Sequence, residues 1–201
     1  IIVKQGLKGL AATKHLGLQA IMRHSGLNKD AISAYHIGFV IGPCFNAAGR
    51  LDTAEMAIRL LQTENINEAE RLASELVELN QSRKEMTLIG YERAVRMIEE
   101  ENLKDSSVMI LCLDGCHESL VGIIAGRLKE KYNRPVIVGV ETEHGIKASG
   151  RSIETYNMYE KLSECRELFE RFGGHAMAAC MTFKKENLQI LRDTLNAKSG
   201  L

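Results

Sequence analysis

Residues 68–102 read EAERLASELVELNQSRKEMTLIGYERAVRMIEEEN and separate two parts of the chain that differ in character. This segment contains no proline and one interior glycine, Gly90, while Leu72, Leu76 and Met86 recur at helical spacing among charged residues. The pattern predicts one α-helix of about 35 residues, which would be about 50 Å long at 1.5 Å per residue. Because globular helices are usually shorter, we expect this helix to connect two lobes.

The residues that follow the helix alternate between strand and helix patterns. Apolar or extended runs predict strands at 108–113, 135–140 and 145–150, and helices are predicted at 120–132, 157–164 and 185–196. Residues 176–183 are expected to be partly extended. Strands that alternate with helices are typical of an α/β fold, here a mixed sheet with flanking helices over residues 105–201.

The residues that precede the helix form short segments separated by glycines. Short helices are predicted at 7–15, 18–24, 28–34 and 53–61, the last of them capped by Thr53. The apolar run 37–43 is predicted to be extended and to stop at a Gly-Pro turn. We therefore expect three parts: a small helical segment at 1–65, a connecting helix at 66–104, and the α/β domain at 105–201.

The composition limits the classes of function. The 26 basic and 26 acidic residues give a net charge of zero, so any contact with nucleic acid must rest on a local cluster. The five cysteines lack the paired spacing of a zinc site and are typical of free thiols in a reducing cytoplasm. No apolar run approaches the ~20 residues of a membrane-spanning helix, so no membrane partner is expected. The first residue is not Met, and we expect a piece of a longer protein.

Two segments contain cations among small residues, as phosphate contacts require. Asn46 and Arg50 lie in the run IGPCFNAAGRL, residues 41–51, where small neighbours let the backbone approach a ligand. The Arg guanidinium offers a planar fork of donors that suits phosphate. Residues 147–152, KASGRS, combine hydroxyls, a glycine and cations, a pattern that suits an oxyanion. Each segment alone is equally consistent with a packing turn or a polar end of a strand.

Two further segments contain histidines beside glycines. Gly173 and Gly174 precede His175, whose imidazole suits a phosphate or a metal, although a lone histidine is more often a structural hydrogen-bonding group. His117 lies in GCHESLVG, residues 115–122, a strand-to-helix turn in which Ser119 is predicted to cap the helix. Each of these signals is weak by itself.

Taken together and in this order, the segments resemble the RecJ branch of the DHH phosphoesterase superfamily. The residues that carry the resemblance are YHIGF (35–39), NAAGRL (46–51), VGIIA (121–125), YNRPVIV (132–138), SGRS (149–152) and FGGHA (172–176). The segment at 46–51 is particular to RecJ, whereas the later segments resemble the DHH-associated domain that the superfamily shares. The resemblance covers essentially the whole chain.

The resemblance implies a function for the longer protein and a role for this chain. It implies the DNA-binding carboxy-terminal part of a cytoplasmic 5′-to-3′ single-stranded-DNA exonuclease in DNA repair and recombination, a hydrolase that cleaves phosphodiesters with manganese or magnesium. The metal ligands belong to an amino-terminal DHH domain, and this chain contains no Asp-His-His string, so it is expected to hold no metal and to be inactive alone. The implied partners are single-stranded DNA and, for the full-length protein, a single-strand-binding protein and a helicase.

The same resemblance implies the residues that contact DNA in the cleft between the two lobes. Their set is Asn46, Arg50, His117, Ser149, Gly150, Arg151, Ser152, Gly173, Gly174 and His175. Ser149, Arg151 and His175 are implied to hold the backbone near the scissile phosphate, with His175 as an accessory contact and no catalytic residue in the chain. The sequence departs from the family pattern at Cys44, Cys116 and Cys180, where a basic residue, an aromatic residue and a glycine are common.

Two other functions and a bland alternative stay open at this point. A DHH-family oligoribonuclease or nucleotide phosphatase would share the Gly-Gly-His element, but it should lack the long helix and the segment 46–51. A non-catalytic RNA-binding module, like the one appended to alanyl-tRNA synthetase, would leave residues 1–65 unexplained. A scaffolding fragment without a ligand is the bland alternative.

Overall fold

The computed structural model describes residues 1–200 and divides the chain into two compact units, Ile1–Glu85 (unit 1) and Met86–Leu201 (unit 2). The helices are α1 (Ile2–Ala11), α2 (Leu16–His24), α3 (Ala34–His36), α4 (Gly42–Leu51), α5 (Glu55–Gln62), α6 (Ile66–Glu100), α7 (Val121–Tyr132), α8 (Met158–Ser163) and α9 (Asn187–Ala197). The strands are β1 (Met109–Cys112), β2 (Val136–Thr142), β3 (Gly145–Arg151), β4 (Phe169–His175) and β5 (Ala178–Phe183). The division of the chain at residues 65 and 104 stays a prediction.

The long helix α6 confirms the helix that the sequence predicts, with 35 residues and ends shifted by two positions. Its apolar residues serve two cores at different points along its length. Leu72 and Leu76 are buried in the core of unit 1, and Ala94 and Ile98 are buried in a core of unit 2. The regular apolar spacing persists along the helix because each half has a core to face.

Unit 1 is built from helices whose core consists of aliphatic and small residues contributed by α2, α4, α5 and α6. Gly17 on α2 shows how closely two of these helices approach. A Cβ atom on Gly17 would overlap the carbonyl oxygen of Leu60 on α5. The glycine at this position therefore permits a backbone-to-backbone contact between α2 and α5 that any side chain would prevent.

The prediction that residues 37–43 are extended is wrong, because the chain is helical from Ala34 to Leu51. A π-helical turn, Ile37–Ile41, joins α3 to α4, and the N–H of Gly42 donates to the carbonyl of Ile37. A Cβ atom on Gly42 would lie 2.8 Å from that oxygen, so the turn favours glycine. Pro43 follows the π-helical turn in the first turn of α4 and has no N–H to donate to the turn before it. A short apolar run does not distinguish a strand from a buried helix.

Two smaller predictions for unit 1 are also wrong in detail. Residues 29–31 form one 3₁₀ turn capped by the side chain of Asn28, not a helix that continues to residue 34. Helix α5 begins after Ala54, and Thr53 does not cap it. Both differences concern helix ends, where local capping patterns compete with the packing of neighbouring elements.

The sheet of unit 2 has the strand order β1-β2-β3-β5-β4, with β1 parallel to β2 and the remaining pairs antiparallel. This arrangement confirms the predicted α/β class with a mixed sheet and flanking helices. The sequence did not predict β4, because residues 169–175 read FERFGGH and five of the seven are exposed. Strand β4 is held by its pairing with β5 and not by an apolar pattern of its own.

Helices cover the two faces of the sheet unequally. On one face, α8 and α9 pack over residues of several strands, including Ile137, Ala148 and Met181. On the other face, α7 packs on β2 and β3, where Ile124 and Leu128 share a core with Val136, Val138 and Val140. The part of this second face that β4 and β5 contribute carries exposed residues, and the candidate site lies there.

The edge of the sheet at β1 is capped by side chains of α9. The side-chain amide of Asn196 accepts from the N–H of Val108 at 3.0 Å and donates to its carbonyl at 3.1 Å. The Nε atom of Arg192 donates to the carbonyl of Ile110 at 2.9 Å. Edge strands offer unpaired backbone groups to other strands, and these bonds satisfy three of them.

Replacing Asn196 by alanine is expected to lower the free energy of unfolding by roughly 1–2 kcal/mol, because two partly buried backbone groups lose their partner. Urea unfolding followed by circular dichroism measures the change. Gln189→Ala, at an exposed position of the same helix, should change stability by less than about 0.5 kcal/mol. Equal losses for the two variants would mean that the edge bonds contribute nothing beyond the loss of a helical side chain.

Candidate nucleic-acid interface

The strand register of unit 2 brings the predicted residues of three strands onto one face. Ser149 on β3 lies opposite Cys180 on β5, which lies opposite Gly173 on β4. Arg151 is joined in the same way to His175 through Ala178. Residues directly opposite each other in a sheet share a face, so all of these side chains lie on one side.

We call this surface the open face. It consists of Lys147, Ser149, Arg151, Arg171, Gly173, His175, Ala178, Cys180 and Thr182. Lys147, Arg171 and His175 are exposed at its margins, and Gly173 and Cys180 are exposed between them. Small side chains in the middle and basic ones around them let an extended anionic chain come close to the strands. The open face therefore carries three cationic side chains and one histidine, and one of the cations, Lys147, is ion-paired with Glu118.

Arg151 is the cation most firmly held on the open face. Its Nη1 atom donates to the carbonyl of Gly150 at 2.7 Å and to Oγ of Ser149 at 3.2 Å. The guanidinium also lies beside Gly122, in the first turn of α7. The amino-terminal end of a helix carries partial positive charge, so the guanidinium and the end of α7 both favour an anion here.

Ser149 lies beside Arg151 and is 7% exposed. Its Oγ atom is 3.5 Å from Sγ of Cys180, so hydroxyl and thiol are neighbours across the β3–β5 pair. A hydroxyl that accepts from a guanidinium can still donate its own proton to a phosphate oxygen. The Ser149 hydroxyl thus accepts a bond from Arg151 and keeps a proton that it can donate.

The structure gives Gly150 and Ser152 packing roles in place of the predicted contacts with DNA. The hydroxyl of Ser152 donates to the carbonyl of Tyr156 at 2.6 Å, and the residue is 1% exposed. Gly150 has the opposite orientation from Arg151, and a Cβ atom there would overlap Sδ of Met158. Both residues shape the turn that follows β3, and neither is retained in the candidate interface.

The Gly-Gly-His element forms the end of β4, where the chain turns into β5. Nδ1 of His175 accepts from the N–H of Met177 at 3.3 Å, which leaves Nε2 as the protonated nitrogen of a neutral ring. His175 is exposed and can donate from Nε2 to a phosphate. A Cβ atom on Gly174 would overlap the carbonyl oxygen of Ala178, whereas nothing lies within 4 Å of one on Gly173.

His117 caps the turn that leads into α7. Its Nδ1 atom accepts from the N–H of Ser119 at 3.3 Å and lies 2.7 Å from the hydroxyl of Ser119. The predicted cap, Ser119, is thus the capped residue. The next residue, Glu118, pairs with Lys147 at 2.6 Å, and both side chains are about half exposed. This ion pair joins the loop before α7 to the margin of the open face.

The other two predicted residues, Asn46 and Arg50, belong to unit 1, where α4 carries them. Both are exposed, and they are one helical turn apart, so they share one side of α4. The departure at Cys44 lies on the buried side of the same helix, where its thiol is 3.5 Å from the side-chain amide of Asn80. Burial raises the pKa of the Cys44 thiol. The cysteine therefore has a packing role in unit 1.

The next features are the groups of side chains that could hold a metal. Residues 1–200 bring no three His, Cys, Asp or Glu side chains together in a metal-binding cluster. The five cysteines are unpaired thiols, and burial raises the pKa values of Cys112, Cys116 and Cys165. Across the same residues, every helix is too short or too polar to cross a membrane.

The chain is similar in sequence to proteins of known function. Residues 105–199 match the DHHA1 domain family. The single-stranded-DNA-specific exonuclease RecJ of Bacillus subtilis is 39% identical over 198 residues, which cover 98% of this chain and 25% of that protein. RecJ of Escherichia coli is 35% identical over 201 residues, which cover 96% of this chain and 35% of that protein. The chain thus spans between a quarter and about a third of the length of these relatives.

Solved structures agree with the sequence relatives. The crystal structure of Thermus thermophilus RecJ in complex with Mg²⁺ has a TM-score of 0.86 and 28% identity, and the match covers 98% of this chain and 30% of that one. A crystal structure of exonuclease RecJ bound to manganese has a TM-score of 0.84, with coverage of 98% and 48%. Sequence and fold agree over nearly the whole chain, and the resemblance noted from the motifs is confirmed.

Proposed function

We propose that this chain is the DNA-binding part of a 5′-to-3′ single-stranded-DNA exonuclease. The proposal proceeds from its membership of the RecJ family, whose DHHA1 domain matches residues 105–199. The relatives named above are single-stranded-DNA-specific exonucleases, and this chain matches a part of each. The open face provides the chemistry that such a role needs.

The observation that carries the proposal is the row of donors around small residues on the open face. Arg151 and His175 lie in one cross-strand row and offer a guanidinium and an imidazole N–H, and Ser149 offers a hydroxyl from the neighbouring row. Groups of this kind contact phosphates and position a strand without reading its bases. Gly173 has no side chain and Ala178 has only a methyl group, so a sugar–phosphate backbone can lie close to the sheet here. The proposed ligand is therefore single-stranded DNA of any sequence.

We further propose that the hydrolytic metals are held by a part of the protein outside this chain. The RecJ crystal structures with Mg²⁺ or Mn²⁺ support metal use by the family, and residues 1–200 offer no cluster that fits such an ion. Magnesium or manganese would activate water and stabilise the leaving oxygen. This chain would bind and orient the strand, and it is expected not to cleave DNA alone.

Unit 1 is proposed to add a second contact through Asn46 and Arg50. The two side chains are exposed on one side of α4, and a guanidinium can bind a phosphate through two donors. For the whole protein we propose a role in DNA repair and recombination in the cytoplasm, with a single-strand-binding protein and a helicase as partners. The five unpaired cysteines are consistent with a reducing compartment.

The experiment that tests the proposal measures binding of a fluorescent oligothymidylate across a salt series, with manganese present in parallel nuclease reactions. The logarithm of the association constant should fall linearly with the logarithm of the salt concentration, with a slope of about −0.7 for each phosphate contact. Duplex DNA and structured RNA should bind more weakly. Tighter binding of structured RNA would favour an RNA-binding module, and cleavage by the purified chain would contradict the proposed division of labour.

Replacing Glu118 by glutamine is expected to tighten binding of the oligothymidylate about two- to threefold, because it removes an anion beside the open face and releases Lys147. Fluorescence anisotropy at low salt measures the change. Glu130→Gln removes the same charge from an exposed position in the last turn of α7 and should have a smaller effect. If the two variants bind alike, the ion pair with Lys147 does not limit access to the face.

A further inference from the structure

Gly122 occupies a place in α7 where a side chain would meet the guanidinium of Arg151. A Cβ atom built on Gly122 would lie 2.8 Å from Nη2 of Arg151, 3.5 Å from its Cζ and 3.1 Å from Oγ of Ser149. Distances below about 3 Å require something to move, and the end of the Arg151 side chain is the part that can. Gly122 therefore leaves room for the cation, although it has no polar side chain of its own.

The second glycine of the same helix provides a comparison. Nothing lies within 4 Å of a Cβ atom on Gly126, one turn further along α7. Glycine is among the least favourable residues inside a helix. The packing thus gives a reason for glycine at position 122 and none at position 126.

Arg151 is held on two sides. Nη1 donates to Gly150 and Ser149, and Nη2 lies against the first turn of α7 at Gly122. A long flexible side chain loses rotamer entropy when it binds a ligand, unless it is already held in the bound arrangement. The space at Gly122 lets the guanidinium keep the position in which Nη1 bonds to Ser149 and Gly150, so that part of this loss is avoided.

We propose that Gly122 is a positioning residue that pre-organises Arg151 for phosphate binding. It acts through Arg151, does not itself contact DNA through a side chain, and sets how tightly the strand is held. The inference rests on the proposed role of Arg151 in binding single-stranded DNA. A methyl group at position 122 would displace the guanidinium from its place and weaken its bond to Ser149, while the fold stays intact.

The test compares Gly122→Ala with Gly126→Ala in binding of a labelled oligothymidylate. Gly122→Ala should weaken binding about three- to tenfold, which is less than the loss expected when the whole charged contact is removed. Gly126→Ala should leave binding unchanged. Both variants should unfold at or above the temperature of the unsubstituted chain, because alanine favours the helix. In NMR spectra, the guanidinium Nε–H signal of Arg151 should shift in Gly122→Ala alone.

The decisive comparison uses double variants. In an Arg151→Ala background, Gly122→Ala should cause no further loss, and in an Arg151→Lys background its effect should shrink because lysine lacks the planar fork. Unchanged binding by Gly122→Ala would overturn this inference alone, and so would an equal loss with and without Arg151. Unchanged binding by Arg151→Ala would overturn the DNA-binding role of Arg151 as well, so the two failures are distinguishable.

Discussion

Replacing Arg151 by alanine is expected to weaken the binding of single-stranded DNA by roughly ten- to a hundredfold, since a charge-assisted hydrogen bond contributes about 1.5–3 kcal/mol. The guanidinium is held by Ser149 and Gly150 in the row that also contains His175. The substitution removes a positive charge. It also removes a side chain that is already ordered before DNA binds. The dependence of affinity on salt should also become shallower, by about 0.7 in the slope.

The matched control for Arg151 is Arg96→Ala, which removes the same charge from an exposed position on α6 in unit 2. Arg96→Ala should change affinity less than about twofold, because a distant exposed charge is screened. Arg151→Lys should recover only part of the affinity, since an ammonium does not provide the fork. If Arg96→Ala and Arg151→Ala lost equal affinity, the loss would come from the change in net charge alone. That result would contradict a specific phosphate contact by Arg151.

Replacing Gly174 by alanine is expected to lower the free energy of unfolding by roughly 2–4 kcal/mol, because the added methyl overlaps backbone atoms that cannot move alone. The overlap is with the carbonyl of Ala178, and Cα of Ala179 would be 2.6 Å away. Relief would require β4 and β5 to separate at the turn that holds His175. Urea unfolding and thermal unfolding of the purified variant measure the loss.

Gly173→Ala is the control, since nothing lies within 4 Å of a Cβ atom there. It should cost less than about 1 kcal/mol of stability. Because Gly173 is exposed on the open face, the same substitution should instead weaken binding of DNA. If Gly174→Ala were as stable as Gly173→Ala, the close approach of β4 and β5 would have to relax at little cost.

The sequence predicted the elements whose patterns are long or strongly apolar. Helix α6 was predicted to within two residues at each end, because its apolar spacing persists over 35 residues. Strands β1 and β2 were predicted from apolar runs, and their burial on both faces explains why those runs are continuous. Strand β4 was missed because it is an exposed edge strand whose residues carry no apolar alternation. The prediction for residues 37–43 is wrong for the opposite reason, because an apolar run is present there but belongs to a helix.

The candidate site was predictable as a set of residue types but not as a geometry. Arg151 and His175 stood out as a cation and an imidazole beside glycines, and the structure brings them into one cross-strand row. Gly150 and Ser152 share the same short motif, yet alternation along a strand and one buried hydrogen bond direct them elsewhere. Which residues of this motif lie on the open face and which are buried depends on the strand register, and the sequence of the motif does not reveal the register.

The contacts that the sequence did not indicate are those between distant segments. Gly122 is 29 positions before Arg151, and only the packing of α7 on β3 brings the two together. The ion pair of Glu118 with Lys147 depends on the same packing. A helical glycine with no turn to serve was the available signal because it costs helix stability, but this signal does not separate Gly122 from Gly126, which has no close neighbour.

The caps on β1 make that edge of the sheet a poor template for a further strand. Asn196 and Arg192 bond the N–H and the carbonyl of Val108 and the carbonyl of Ile110. A peptide or a neighbouring copy that added a strand there would first have to displace these side chains. Substitution of Asn196 would free two of the three capped groups and so make the edge more open to the strand-to-strand contacts from which fibres grow.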